Sequence, residues 1–222
     1  MSSVGQTYTH RLEVSSLANS VRWMFFDGIS RLGPGYTIPS PLAWSSDNRY
    51  LFVTNRPTPD GCSYLANGSD LFRLDLQSGE IVTITAPIGN VLSVSTDGQL
   101  LAYVGYGDKG LVIRDIGNGH ETPIQLPPFE ENSEVGSIVF SPNNSQLALT
   151  ALSGFCGPTG TKSVTLLTAD LQTFKVTHQL SQTNRTLLTV GWLDSERVIL
   201  HDESGASWVW APKDKIIGRY EK

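Results

Sequence analysis

Short stretches of alternating apolar and polar residues run through most of the chain, separated by clusters of Gly, Asn, Asp and Ser. In LFRLDL, residues 71–76, every second side chain would lie on the same side of an extended strand. The segments LLAYV at 100–104 and RVIL at 197–200 are almost continuously apolar, which indicates strands packed on both faces. Together these patterns predict β-strands joined by tight polar turns.

One pattern of strand, polar turn and strand occurs four times, with its turns in register at Ser45, Ser95, Ser141 and Leu193, about 50 residues apart. A second marker, an extended strand ending in Asp before another polar turn, occurs in the first three units, at Asp75, Asp115 and Asp170. Each unit therefore contains four short strands. A repeat of this length and content predicts a propeller blade rather than a solenoid coil.

We therefore predict an all-β protein, a β-propeller of four-stranded antiparallel blades, with about four complete blades and a partial N-terminal unit. The predicted blades cover residues 38–86, 87–127, 133–180 and 186–220. Residues 1–37 form either a partial blade or a closing segment, and residues 15–26 fit both strand and helical spacing. The chain is then a small five-blade ring or a piece of a larger propeller or longer chain.

The repeat resembles a known family. PLAWSSDNRYLFVTNR followed by DLFRLDLQSGEIVTIT is similar to the repeat of TolB-type, WD40-like β-propellers, which has a turn close to Ser-Pro-Asp-Gly and a later strand ending in Asp. The resemblance extends over residues 38–220 and is weaker in the fourth unit, where residues 193–196 depart from the turn pattern. A sialidase-type Asp box would need Thr-Trp where residues 50–51 and 100–101 are Tyr-Leu and Leu-Leu. The resemblance implies a blade type and says little about a ligand.

Charge argues against nucleic acid as a partner. The net charge is −5, the isoelectric point is about 5.3, and no run of Lys or Arg suggests a phosphate-binding stripe. No apolar stretch is long enough to predict a membrane-spanning helix. The opening MSSVGQTYTHR lacks signal-peptide features, so we expect a cytoplasmic chain or the mature part of an exported one.

The first and third units carry long insertions between their second and third strands, and each insertion contains one of the two cysteines, Cys62 and Cys156. In propeller topology these loops emerge on the same face, so we predict a Cys62–Cys156 disulfide, with two free thiols as the alternative. An oxidised pair would favour a periplasmic or extracellular location, and a reduced pair the cytoplasm.

Catalytic and metal-binding patterns are weak in this sequence. Ser207 lacks the glycines of a nucleophile elbow, and the four histidines are scattered. His-Asp-Glu at 201–203 closes a predicted strand, where adjacent side chains point to opposite faces, so we expect a solvated strand end. The recurrent Asp residues fit turn chemistry. We therefore predict no catalytic residues, no metal and no cofactor.

Binding residues concentrate in loops on a rigid scaffold, and the loop face is the candidate binding surface. The residues in or beside its loops are Arg56, Asp60, Tyr64, Tyr106, Asp108, Lys109, Phe155 and Lys162. A simpler interpretation is that they are solvated connectors. Our first hypothesis is a non-catalytic recognition or scaffolding module that binds a protein or peptide. The alternative is a glycan- or peptide-processing enzyme, or its remnant, with a site at the central opening.

Overall fold

The computed structural model describes residues 7–16, 21–31, 37–57, 65–85, 89–105, 110–129, 133–155, 162–183 and 185–220. Over these residues the chain forms β-strands and turns without any helix, which confirms the all-β prediction. Accordingly, the described part of the chain contains no helix long and apolar enough to cross a membrane.

Four antiparallel sheets of four strands each follow chain order, behind an N-terminal hairpin of β1 (Thr7–Ser15) and β2 (Arg22–Arg31). Blade 1 contains β3 (Thr37–Trp44), β4 (Tyr50–Pro57), β5 (Leu71–Asp75) and β6 (Ile81–Thr85). Blade 2 contains β7 (Gly89–Val94), β8 (Leu100–Gly105), β9 (Leu111–Asp115) and β10 (Glu121–Ile124). Blade 3 contains β11 (Glu134–Phe140), β12 (Gln146–Ser153), β13 (Ser163–Asp170) and β14 (Lys175–Thr183). Blade 4 contains β15 (Leu187–Trp192), β16 (Val198–Asp202), β17 (Ser207–Ala211) and β18 (Ile216–Arg219).

The blades are arranged as a propeller, and the first strands of successive blades pack side by side: β3 with β7, β7 with β11, and β11 with β15. Apolar clusters fill the spaces between neighbouring blades. The second strands β4, β8 and β12 are buried on both faces over most of their length. This confirms the prediction for residues 100–104.

The corresponding prediction for RVIL holds for only one face of blade 4. Val198 and Leu200 are completely buried against blade 3, whereas Ile199 between them is half-buried and His201 is exposed. The other face of this blade carries exposed apolar side chains, with Ile216 62% exposed. Blade 4 is therefore packed mainly from one side.

The recurrent turn owes its shape to a buried serine. In blade 2 the Ser95 hydroxyl donates a hydrogen bond to Asp97 Oδ1 at 2.6 Å and accepts one from the Leu100 N–H at 2.8 Å. Ser45 and Ser141 make equivalent pairs of hydrogen bonds in blades 1 and 3. Each serine thus satisfies a backbone donor that the tight turn would leave unpaired.

Blade 4 lacks the serine and closes its turn differently. Asp194 Oδ1 accepts hydrogen bonds from the Glu196 and Arg197 N–H groups, both at 2.9 Å. The Arg197 guanidinium also pairs with this carboxylate and, as the largest cause, lowers the pKa of Asp194. Residues 193–196 depart from the turn pattern of the other blades because an Asp carboxylate, rather than a Ser hydroxyl, accepts the hydrogen bonds of this turn.

The first strands of the four blades end, just before their turns, in Trp44, Val94, Phe140 and Trp192. Phe140 and Val94 end β11 and β7 and are buried between blades, and the Trp192 indole N–H donates to the Val139 carbonyl of blade 3 at 3.1 Å. Trp44, at the equivalent end of β3, is 49% exposed. Trp44 therefore does not share the buried interblade position of Phe140 and Val94.

The N-terminal hairpin packs on blade 1. Trp23 lies against this blade, where its indole N–H donates to the Leu76 carbonyl at 3.0 Å. Leu12, Val14 and Phe25 join the same apolar cluster. Strands therefore form on both sides of residues 17–20, which lie outside the described residues, and the helical alternative is wrong.

Candidate functional site

All connections between second and third strands lie at one end of the sheets, because antiparallel strands reverse direction at every turn. The connections from each fourth strand to the next blade lie at this end too. We call this end the loop face. The strand ends that flank the insertions of blades 1 and 3 therefore lie on the same side.

The blade 1 insertion reaches across the loop face to blade 3. The Leu65 side chain is only 5% exposed and belongs to the cluster that includes Leu152 and Val164 of blade 3. The Leu65 N–H donates to Glu134 Oε1, at the start of β11, at 2.6 Å. One apolar and one charged contact therefore hold this loop over the inner end of blade 3.

The same loop is fixed to blade 1 just before β5. The Ser69 N–H donates to the Asn55 carbonyl at 3.2 Å, and the Asn55 amide donates to Asp70 Oδ2 at 2.7 Å. Gly68 lies against Thr54 so closely that a Cβ on residue 68 would be 1.7 Å from Thr54 Oγ1. Only glycine allows this approach of loop and strand.

A cleft of about 560 Å³ opens on the loop face between blades 3 and 4. The described residues that line it come from the two ends of the β12–β13 connection and the start of β13, from the β14–β15 connection and from the β16–β17 turn. The lining residues are Phe155, Lys162, Val164, Arg185, Thr186, Asp202, Glu203 and Ser204. The cleft therefore combines apolar, cationic and acidic side chains from two blades.

Both cations of the cleft lie over aromatic rings. Lys162 Nζ is 5.3 Å from the centroid of the Phe155 ring, and Arg185 Cζ is 4.1 Å from that of Trp208. Such contacts contribute about 0.5–1 kcal/mol each at exposed sites. Within the described ranges, no carboxylate lies within ion-pair distance of either cation. The rings orient the two positive charges without neutralising them.

The Asp202 carboxylate is used within the β16–β17 turn. Its Oδ1 accepts from the Ser204 N–H at 2.9 Å, the Ser204 hydroxyl at 2.6 Å and the Ala206 N–H at 3.0 Å. Its Oδ2 accepts from the Trp208 indole N–H at 2.9 Å. These bonds, led by that of the Ser204 hydroxyl, lower the pKa of Asp202 to about 2. Asp202 therefore stays ionised and fixes the ring beneath Arg185.

Glu203 is also engaged, since its carboxylate accepts a hydrogen bond from the Thr186 hydroxyl. This bond links the β16–β17 turn to the end of the β14–β15 connection, where β15 and β16 pair. The carboxylates of Asp202 and Glu203 thus make hydrogen bonds within the protein that fix the turn and the connection around the cleft. In the described part of the chain, no group of three or more His, Cys, Asp or Glu side chains is arranged to hold a metal ion.

Two of the predicted binding residues, Phe155 and Lys162, lie together in the cleft. Arg56 is exposed at the end of β4 on blade 1 and does not line it. The other predicted loop residues and the proposed disulfide pair lie outside the described residues: Asp60, Cys62, Tyr64, Tyr106, Asp108, Lys109 and Cys156. The disulfide stays a prediction.

Sequence reasoning missed the blade 4 side of the cleft. It interpreted residues 201–203 as a solvated strand end, which fits the exposed His201, but Asp202 and Glu203 line the cleft. Arg185 and Trp208 are separated along the chain, and only the interblade geometry brings them together. An aromatic residue just after a tight turn, with a basic residue in the preceding connection, is the signal available in the sequence.

No family model and no curated protein matches this chain. Among solved structures, it is similar to an oligogalacturonate lyase in complex with manganese, with a TM-score of 0.60 and 14% identity over 98% of this chain and 61% of the lyase. An acylaminoacyl peptidase from Pyrococcus horikoshii gives a TM-score of 0.56 and 10% identity over 85% of this chain and 32% of the peptidase. The Cps50 (Swd1) β-propeller domain from Myceliophteria thermophila gives 0.52 and 17%, over 86% of this chain and 57% of that chain.

These similarities establish the class of protein, a β-propeller. At such identities they show the fold alone, because propellers host many unrelated functions. The chain spans less than two thirds of the length of each of these three structures.

Proposed function

We propose that this chain is a TolB-type propeller that acts as a non-catalytic recognition module and binds a peptide segment of a partner protein in the cleft between blades 3 and 4. The observation that carries the proposal is the pair of cations, Lys162 and Arg185, held on aromatic rings without an acidic partner among the described residues. A site with oriented but unneutralised charges is prepared for a ligand.

The scaffold around the cleft supports binding. Val164, at the start of β13, is buried, and Asp202 is fixed by four hydrogen bonds. The described lining residues are therefore attached to well-packed strands, and an ordered site loses little entropy when a ligand binds. The Phe155 ring adds an apolar aromatic surface of the kind enriched at protein interfaces.

The acidic groups of the cleft favour binding over chemistry. A general acid or base works best with a pKa near the operating pH, whereas the hydrogen bonds on Asp202 lower its pKa to about 2. Glu203 is tied to Thr186. Their roles in shaping the cleft account for both carboxylates.

A peptide display library selected on the full chain tests the proposal. The cleft variant is Phe155→Ala/Arg185→Ala, and the matched control is Trp44→Ala/Arg73→Ala, which removes an exposed aromatic residue and a ring-stacked arginine on blade 1. We expect selected peptides to bind wild type and control alike, and to bind the cleft variant at least tenfold more weakly. Failure to enrich any peptide, or equal binding to the cleft variant, would overturn the proposal. The proposal would also be overturned if the wild-type chain cleaved members of a peptide or glycan panel and the control variant retained that activity.

A further inference from the structure

We infer that the cleft recognises a carboxylate group of its peptide ligand, contributed by an acidic side chain or by the C-terminus. This inference rests on the proposed peptide-binding function and adds the chemical class of the ligand. It follows from which charges of the cleft are already used within the protein and which are not.

Asp202 has little capacity left to pair with a positively charged ligand. Asp202 accepts four hydrogen bonds from its own turn and from Trp208. Glu203 accepts one from Thr186, its neighbour beside the β15–β16 pair of blade 4. A cationic ligand would have to displace hydrogen bonds of Asp202 in order to pair with it, and it would also meet the positive charges of Lys162 and Arg185. The cost of leaving such groups unpaired argues against a basic peptide.

The positive charges, by contrast, retain their donors. A guanidinium stacked on an indole keeps its N–H groups at the edge of the stack, where they can bind both oxygens of one carboxylate. Arg185 has this arrangement over Trp208, and its side chain is exposed. Lys162 offers a second, more flexible positive charge from blade 3 and is exposed as well. A carboxylate can therefore pair with Arg185 while Lys162 contributes from the facing wall.

The apolar surface of the cleft restricts the rest of the ligand. Val164 is buried at the base, and the half-buried Phe155 ring lies beside it on the β12–β13 loop. This surface fits an apolar side chain next to the carboxylate. The expected ligand is thus an acidic residue, or a free terminus, adjacent to an apolar residue.

Pools of fluorescent decapeptides with one fixed central residue test the inference by anisotropy. In three pools with blocked termini, Glu, Gln or Lys is fixed before a Leu, and a fourth pool has the Gln centre with a free C-terminus. We expect the Glu pool or the free-terminus pool to bind wild type about tenfold more tightly than the blocked Gln pool, as one bidentate charged pair implies. Preference for the Glu pool would assign the carboxylate to a side chain, and preference for the fourth pool to the terminus.

Variants localise the effect. Arg185→Gln should abolish most of the acidic preference and Lys162→Gln part of it, whereas Arg73→Gln, which removes an arginine stacked on Tyr50 of blade 1, should leave it unchanged. If the blocked Gln or Lys pool binds as well as both the Glu pool and the free-terminus pool, and Phe155→Ala weakens that binding, the peptide function stands and the carboxylate inference fails. If none of the peptide pools binds, or if the chain binds only an oligosaccharide of uronic acids, the peptide function and the carboxylate inference both fail.

Discussion

The contact between Gly68 and Thr54 leaves no room for a side chain at position 68. A Cβ there would lie 1.7 Å from Thr54 Oγ1, 2.7 Å from its Cβ and 2.8 Å from its Cγ2. Rotation of the threonine cannot relieve all three contacts, because the Cβ does not move. Gly68→Ala should therefore push residues 65–70 off the loop face.

The loss follows from what holds this loop. Leu65 is 5% exposed, and burying a leucine contributes about 1.5–3 kcal/mol. Its N–H also donates to the Glu134 carboxylate, and a hydrogen bond to a charged group contributes about 1.5–3 kcal/mol. If the loop instead stays in place with the added methyl group forced against Thr54, the overpacking costs about 1–3 kcal/mol. We expect the free energy of unfolding to fall by about 3 kcal/mol, or the Tm by about 6–12 °C for a chain of this size.

Urea unfolding followed by circular dichroism measures this difference. Gly218→Ala is the matched control, because no atom lies within 4 Å of the added Cβ and the position is exposed. That variant should be as stable as wild type or slightly more stable. Thr54→Ala in the Gly68→Ala background removes two of the three close contacts and should restore part of the stability. If Gly68→Ala unfolds within about 0.5 kcal/mol of the control, the proposed docking of this loop is wrong.

Three further experiments test other parts of the structure. Ser141→Ala should lower the free energy of unfolding by about 1–3 kcal/mol, because it leaves a turn N–H without an acceptor. The control Ser46→Ala changes an exposed side chain and should be neutral. Equal midpoints of urea unfolding for the two variants would contradict this prediction. Trp23→Ala should speed amide hydrogen exchange in the N-terminal hairpin far more than in blades 3 and 4, and uniform acceleration would refute local docking. The carboxyl ¹³C shift of Asp202 should titrate at about pH 2. The stabilising effect of the ionised Asp202 carboxylate is then complete above the usual pKa of 3.8 and is lost as the pH falls through 2. A titration midpoint near 3.8 would exclude the hydrogen bonds assigned to this carboxylate.

The architecture could be predicted from the sequence because its signals are local. Each turn depends on residues within a few positions of one another, such as Ser95 and Asp97, and the repeat multiplies that signal. The exposure of Trp44 and the one-sided packing of β16 were not predictable, since they depend on which neighbours a blade has. A repeat pattern describes an average blade and carries no information about a blade's place in the series.

The candidate site was only half predictable for a related reason. Phe155 and Lys162 belong to one insertion and were found by its unusual length. Arg185 and Trp208 meet only after blades 3 and 4 pack. The acidic residues of the cleft resembled ordinary turn residues, and Asp202 does serve a turn. The proposed disulfide depends on residues 62 and 156, and thiol titration of the denatured, unreduced chain would decide it: two free thiols would end that hypothesis.

A crystal structure of the full chain with a selected peptide tests the account most directly. We predict peptide density on the loop face between blades 3 and 4, in contact with Phe155, and a ligand carboxylate paired with the Arg185 guanidinium. Density at the opposite ends of the blades, or a peptide bound without touching this cleft, would contradict the account.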